Sequence, residues 1–255
     1  MSFAVITTCD KKYIRYASVF TNSLYKFNQG VELFVRAVNC YDECINALPN
    51  TVNVIRDDVQ LSDTKTRIAK GLDSSHHRMS SFSLHNRLYS AQTLYSTHSK
   101  FQNALYLLDR GYQKILVVDA DAIINGSLDP LIQLLDKCEL SMQIETRNDG
   151  RFISVDRTIL KEGVMAMRNT TQVKNFYSEI NKELTRLECQ NICDIDSDTE
   201  VVSNIFHAMR PKLQFANLPL TFKDNSLSES SIIWSGQGAV KLTDKFANES
   251  KPYEG

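Results

Sequence analysis

An α/β fold with a mostly parallel central sheet is predicted by three observations. Short apolar, β-branched runs alternate with amphipathic helical periods from the first residues onward. One run, residues 114–118, is apolar throughout after its lysine, as a central strand covered on both faces is. No internal repeat, low-complexity linker or break in composition divides the 255 residues. One compact unit is expected, long enough to enclose a core.

The elements follow in order. Residues 3–8 form a buried apolar strand, and Asp10 stands where a helix N-cap would. Tyr13, Ala17, Phe20, Leu24 and Phe27 recur at four- and three-residue steps, one face of a helix, which Asn28-Gln29-Gly30 stops. Strands at 31–38 and 51–56 flank a short helix at 41–48. Residues 62–83 break the rhythm: they are polar, Ser-rich and basic, with Lys65, Arg67, Lys70, His76, His77 and Arg78. They read as a solvated surface loop, or as a flap that closes over an anionic ligand. Two helices, 84–95 and 100–108, precede the strand at 114–118. Asn125-Gly126 and Asp129-Pro130 mark turns, and a helix starts at 131–135. Strands at 140–144 and 163–167, helices at 171–187 and 197–209, and late strands at 213–215 and 232–234 complete the reading.

Composition narrows the function. With 42% hydrophobic and 23% charged residues the chain is ordinary for a folded globular protein. Lys and Arg total 29 against 30 Asp and Glu, so no basic excess points to nucleic acid or an anionic membrane. No apolar run reaches the roughly 20 residues that span a bilayer. The first residues enter a strand directly and do not read as a leader. Six cysteines without a disulfide framework suit a reducing compartment, so a cytoplasmic location is expected. Cys40/Cys44 and Cys189/Cys193 repeat a one-turn spacing, and are expected to be small buried groups and not metal ligands.

The chemistry is expected at Asp119 and Asp121. An Asp-x-Asp tripeptide occurs three times, at 119/121, 194/196 and 196/198, but only the first follows a buried apolar strand. Ligands of open α/β sheets bind beyond the carboxyl ends of the strands. Two carboxylates there can both turn to one hard cation, Mn²⁺ or Mg²⁺, completed by waters and substrate phosphates. The plainer alternative is that Asp119 caps a turn and Asp121 is solvated. There is no P-loop, no dinucleotide glycine fingerprint after the first strand and no nucleophile elbow. Glycine totals only 9, so a metal is the natural means of neutralising a diphosphate. Asp198, at the start of the helix at 197–209, is a candidate carboxylate base. Ser197-x-x-Glu200 also has the form of a capping box, which would make Glu200 structural.

These blocks resemble a family. Lys100, then the apolar strand ending in Asp-Ala-Asp, then Ser-Leu-Asp-Pro-Leu, is similar to the core of glycogenin-like GT-A glycosyltransferases. The opening Ala-Val-Ile-Thr-Thr-Cys-Asp-Lys-Lys-Tyr resembles their first βα unit. Gly163 to Asn169 resembles the strand beside the acceptor site, and Asp198 to Asn204 their Asp-Gln-x-x-x-Asn segment. The resemblance implies a GT-A fold, a nucleotide-sugar donor (a UDP-sugar), and a hydroxyl acceptor on a glycan, protein or small molecule. It puts the donor in about 1–125 and the acceptor in about 126–255. It implies metal binding by Asp119 and Asp121, and donor binding by Thr7, Thr8, Asp10, Tyr13, Arg87, Lys100 and Ala120. Lys100 and Asp198 are the implied catalytic residues. The family's third metal ligand is a histidine near the end of the domain. The corresponding Ile232 to Lys241 contains none, which leaves that position to water or the diphosphate. A nucleotidyltransferase, which favours a Gly-rich basic first loop absent here, and a catalytically silent carbohydrate-binding relative are the rival readings. Lys100, taken as the first residue of a helix whose dipole favours anions, is expected to serve the donor and not the fold. Its exchange for Met should leave stability unchanged.

Overall fold

The computed structural model describes residues 2–60, 91–147, 157–190 and 197–254. The segment 62–83, Arg87, Asp194 and Asp196 lie outside the described residues. In chain order the elements are β1 (Phe3–Asp10), α1 (Ile14–Phe27), β2 (Glu32–Val38), α2 (Asp42–Ile45), β3 (Asn53–Asp57), α3 (Ala91–Asp109), β4 (Lys114–Val118) and β5 (Ala122–Ile124). Then come α4 (Asp129–Lys137), β6 (Leu140–Arg147), β7 (Arg157–Arg168), α5 (Thr171–Cys189), α6 (Ser197–Met209), β8 (Phe215–Asn217), β9 (Ile233–Ser235) and α7 (Asp244–Ser250).

Seven strands form one sheet in the order β3-β2-β1-β4-β7-β6-β8. β1 is parallel to β2 and β4, and β2 is parallel to β3. β7 alone runs against its neighbours β4 and β6, while β6 and β8 are parallel. The sheet is therefore mostly parallel, as expected. The composition of β4 explains its central place: all five residues are buried. Ile115 and Val117 join the apolar cluster under α3, α5 and α6, and Leu116 and Val118 the cluster under α1 and α4. That alternation is the period of two a strand imposes.

Several expected elements are redrawn. Residues 91–109 form one helix, so Lys100 lies in the middle of α3 and not at a helix start. Its interruption in apolar period, His98, Ser99, Lys100 and Asn103, is buried and not exposed. These side chains meet polar partners: Asn103 Nδ2 donates to Thr8 Oγ1 at 2.6 Å, and Arg36 Nε donates to Asn103 Oδ1 at 2.5 Å. Asp10 is not the N-cap of α1, which begins four residues later. Its Oδ1 accepts from the amides of Lys12 and Tyr13 and fixes the turn before the helix. Phe27 ends α1 at 37% exposure and leaves the apolar face there. β5 and its partner β9, a two-stranded ribbon outside the main sheet, are three residues each. β5 was not expected.

Gly111 ends α3 at φ +85°, with no atom within 4 Å of where a Cβ would stand. Backbone strain alone then opposes a side chain. Gly111→Ala should destabilise the fold by about 1 kcal/mol, seen as a lower urea midpoint at unchanged slope.

Candidate active site

The turn carrying Asp119 and Asp121 is held by backbone on both sides. Asp119 N donates to Gly163 O of β7 at 3.0 Å, and Gly236 N donates to Asp121 O at 2.8 Å. Between them, Ala122 N closes on Asp119 O at 3.2 Å. β5 then pairs with β9 in a register that sets Ala122 opposite Ser235. Gly163 is required here: a Cβ would stand 2.8 Å from Asp119 Oδ2 and 3.3 Å from Lys223 Nζ. The carboxylate of Asp119 and the ammonium of Lys223 thus both lie over the backbone of β7.

Asp121 is 5% exposed. Its Oδ2 accepts from Lys241 Nζ at 2.6 Å, and the same ammonium donates to Tyr13 Oη at 2.9 Å. The ammonium also lies 4.8 Å from the centre of the Tyr13 ring. Burial alone would lower Lys241, but Asp121 and the Tyr13 hydroxyl outweigh it and hold it well above its ordinary value.

A second group of charges adjoins the first. Lys100 Nζ is 3.0 Å from Asp198 Oδ2 and 3.8 Å from Glu162 Oε1. Thr199 Oγ1 donates to Glu162 Oε1 at 2.8 Å, and Asp198 Oδ1 accepts from Thr199 N at 2.7 Å. Leu160 N donates to Ser203 Oγ at 3.2 Å, which ties α6 to β7 and so brings Asp198 beside Glu162. Burial opposes the charge of Lys100, but Asp198, Glu162 and Asp119 raise it overall. Burial pushes Asp119 up to about 6, with Lys100 working against it and Asp121 adding to it. Burial, reinforced by Asp198, pushes Glu162 up to about 7, and burial brings Lys223 down to about 8.

Of the residues singled out in the sequence, Asp119, Asp121, Lys100, Asp198 and Tyr13 enter this cluster. Thr8 is occupied by Asn103 and Ser99 of α3, and Asp10 by the turn it closes. Thr7 is buried with its hydroxyl unpartnered. Ala120 packs its side chain into the apolar cluster under α1 and offers a ligand only its backbone. Glu162 and Lys223 were missed. Glu162 is a lone carboxylate in a strand, which reads as a solvent-facing position, and Lys223 follows a short turn with no period of its own. Lys241 was noted only as part of a segment lacking a histidine. Among the described cysteines, Cys40 Sγ donates to Val38 O at 3.6 Å, the neighbouring Cys40 thiol and burial raise Cys9, and Cys189 is exposed, not buried as expected.

A cleft of about 340 Å³ opens at the carboxyl ends of β1, β2 and β3. Lys11, Asn39, Cys40, Tyr41, Asp58 and Gln92 line it. Asn39 adopts φ 48°, a conformation Asn tolerates better than most residues.

A model of glycosyl transferase family 8 matches residues 4–190. The chain belongs to that family. As a family 8 glycosyltransferase it is an enzyme of sugar transfer, which favours that reading over nucleotide-sugar synthesis and over a silent binding module. Solved structures agree in fold. The galactosyltransferase LgtC, solved with donor and acceptor sugar analogues, superposes at TM-score 0.60 with 14% identity, over 98% of this chain and 95% of that one. The glycosyltransferase GlyE of Streptococcus pneumoniae TIGR4 matches at TM-score 0.58 and 17% identity, covering 100% of this chain and 60% of that one. The bifunctional glycosyltransferase WbbM matches at 0.56 and 13%, over 93% and 46%. Among curated proteins none matches the sequence significantly. The family 8 chain has, among its described residues, no helix long and apolar enough to cross a membrane.

Proposed function

We propose that this enzyme transfers a hexosyl group from a nucleoside-diphosphate sugar, a UDP-sugar, to a hydroxyl acceptor, with Mn²⁺ or Mg²⁺ bound at Asp119 and Asp121. The observation that carries the reading is the pair of carboxylates on one clamped turn at the carboxyl end of the central strand.

The donor set suits a hard divalent cation. Oxygen ligands are present, and the cluster holds four carboxylates (Asp119, Asp121, Glu162, Asp198) against three ammoniums (Lys100, Lys223, Lys241). A diphosphate entering alone would deepen that negative surplus, whereas a divalent cation offsets it. Among the described residues no group of three His, Cys, Asp or Glu is placed to hold a metal. Ser235 is opposite Ala122 and supplies no strong ligand. The reading is therefore a two-carboxylate site completed by substrate phosphate and water, in which Lys241 and the cation compete for Asp121.

When bound, the cation neutralises diphosphate charge and eases departure of the nucleoside diphosphate. The chain's own residues do the rest. The cleft at β1–β3 receives the nucleotide base, with Lys11 and Asp58 at its walls, and Asp10 fixes the turn that leads to Tyr13 and through Lys241 to Asp121. Lys241, which donates to Tyr13 Oη and Asp121 Oδ2, is placed to meet phosphate oxygen. Asp198, fixed by Lys100 and the Thr199 amide, presents negative charge where the transferred sugar develops positive charge.

Titration calorimetry with UDP tests the donor reading. Affinity should be at least tenfold weaker in chelator than in Mn²⁺, a difference of about 1.4 kcal/mol. Equal affinity in both would refute a metal-held diphosphate.

A further inference from the structure

Two polar atoms in the cluster have no partner. Lys223 is 4% exposed, and its Nζ, over the backbone of Gly163, makes no hydrogen bond. Glu162 Oε2 is likewise buried and unpartnered, although Oε1 of the same carboxylate is engaged by Thr199. Each feels the other's charge. A buried polar group left unpaired costs about 1–3 kcal/mol, more when charged, so an orphaned donor and an orphaned acceptor in one cluster call for a ligand.

Resting on the donor reading above, we propose that Glu162 and Lys223 form a subsite for one hydroxyl group of the transferred hexose. The hydroxyl donates to Glu162 Oε2 and accepts from Lys223 Nζ. Chemistry selects this occupant. A phosphate or carboxylate only accepts, and Glu162 would repel it. A cation would satisfy Glu162 and be repelled by Lys223. A hydroxyl both donates and accepts, and meets both orphans at once. Position selects the sugar over the nucleotide. Glu162 lies two residues from Val164, which pairs with Val118 at the end of β4, and Lys223 is beside Asp119. The cleft assigned to the base is across β1, at the β2 and β3 side of the sheet. Lys100, which holds Asp198, lies 3.8 Å from Glu162 Oε1. The residues would thus be specificity determinants for the donor sugar.

The test uses Glu162→Gln and Lys223→Met in the full chain, titrated in Mn²⁺ with UDP, UDP-glucose and UDP-galactose. In Glu162→Gln the amide oxygen can keep Thr199, which leaves an NH₂ unable to accept the hydroxyl proton. Both variants should bind UDP within twofold of wild type, and the hexose ester that wild type prefers at least tenfold more weakly. Lys223→Met should also melt close to wild type, because the cost of burying the ammonium and its attraction to Asp119 and Glu162 oppose each other. Equal losses for UDP and for the hexose ester would overturn the subsite and assign the pair to the diphosphate. Unchanged binding of every ligand would overturn it in favour of an enclosed water. Failure of wild type to bind UDP at all would overturn the donor reading, and the subsite with it.

Discussion

Asp119→Asn should lower sugar transfer by about 10²–10³-fold, the equivalent of removing about 3–4 kcal/mol of transition-state stabilisation. The substitution keeps the shape of the side chain that lies against Gly163, where nothing larger than hydrogen fits. It also keeps the backbone bond from residue 119 to Gly163 O, which depends on the main chain alone. What it removes, on the proposed reading, is one anionic ligand of the cation. Melting temperature should hold or rise, since burial already disfavours the charge of Asp119. Initial rates with a saturating donor, beside a thermal melt, separate the two effects. Retained turnover would remove Asp119 from the catalytic apparatus.

Lys100→Met should destabilise the protein by about 3 kcal/mol, the low end for removing one partner of a buried ion pair. This reverses the expectation drawn from sequence, in which Lys100 opens a helix and its removal leaves stability untouched. Lys100 is 8% exposed in mid-helix, and without it Asp198 and Glu162 face each other in the interior with no ammonium between them. For a chain of this size the melting temperature should drop by roughly 10 °C. Activity should fall at least tenfold as well, because Asp198 loses the contact that orients it. An unchanged melting curve would mean that the carboxylates are relieved by protonation or by water.

The reading of Lys100 failed for a physical reason that bears on the whole site. Sequence periodicity detects apolar faces. The stretch Leu94 to Phe101 lies over the site, and its inward face is Ser99, Lys100 and, a turn on, Asn103, so the apolar period lapses where the helix is most buried. One helix therefore read as two. The same blindness hid Glu162, which becomes internal only because β7 turns back against β4 and α6 closes over it. Strand direction is not written in local pattern, and neither is a three-residue strand such as β5. By contrast β4 and Asp119-x-Asp121 were legible at once: five apolar-flanked positions buried on both faces leave little else for the chain to do. Of the residues placed around the donor, Tyr13 meets the cluster through Lys241. Thr8 accepts from Asn103 and Ser99 of α3 and Asp10 closes the turn before α1, contacts that side-chain type alone does not foretell.

The contact of Lys241 with Asp121 spans 120 residues of chain, and Arg15 with Glu254 spans 239. Closing loops of that length costs entropy before any contact repays it, and such contacts form slowly. The order of folding follows. The β1–β4 pairing, with α1 and α3 packed on it, can assemble while the last quarter of the chain is still loose, and the clasp over the carboxylates arrives afterwards. Pulse-labelled hydrogen exchange should find the amide of Gly236 protected later than those of β4, and simultaneous protection would contradict this order. During the interval the central strands are paired but Asp121 lacks its lysine, so on the proposed reading competence to bind donor is acquired as a final, separate event in the life of each molecule.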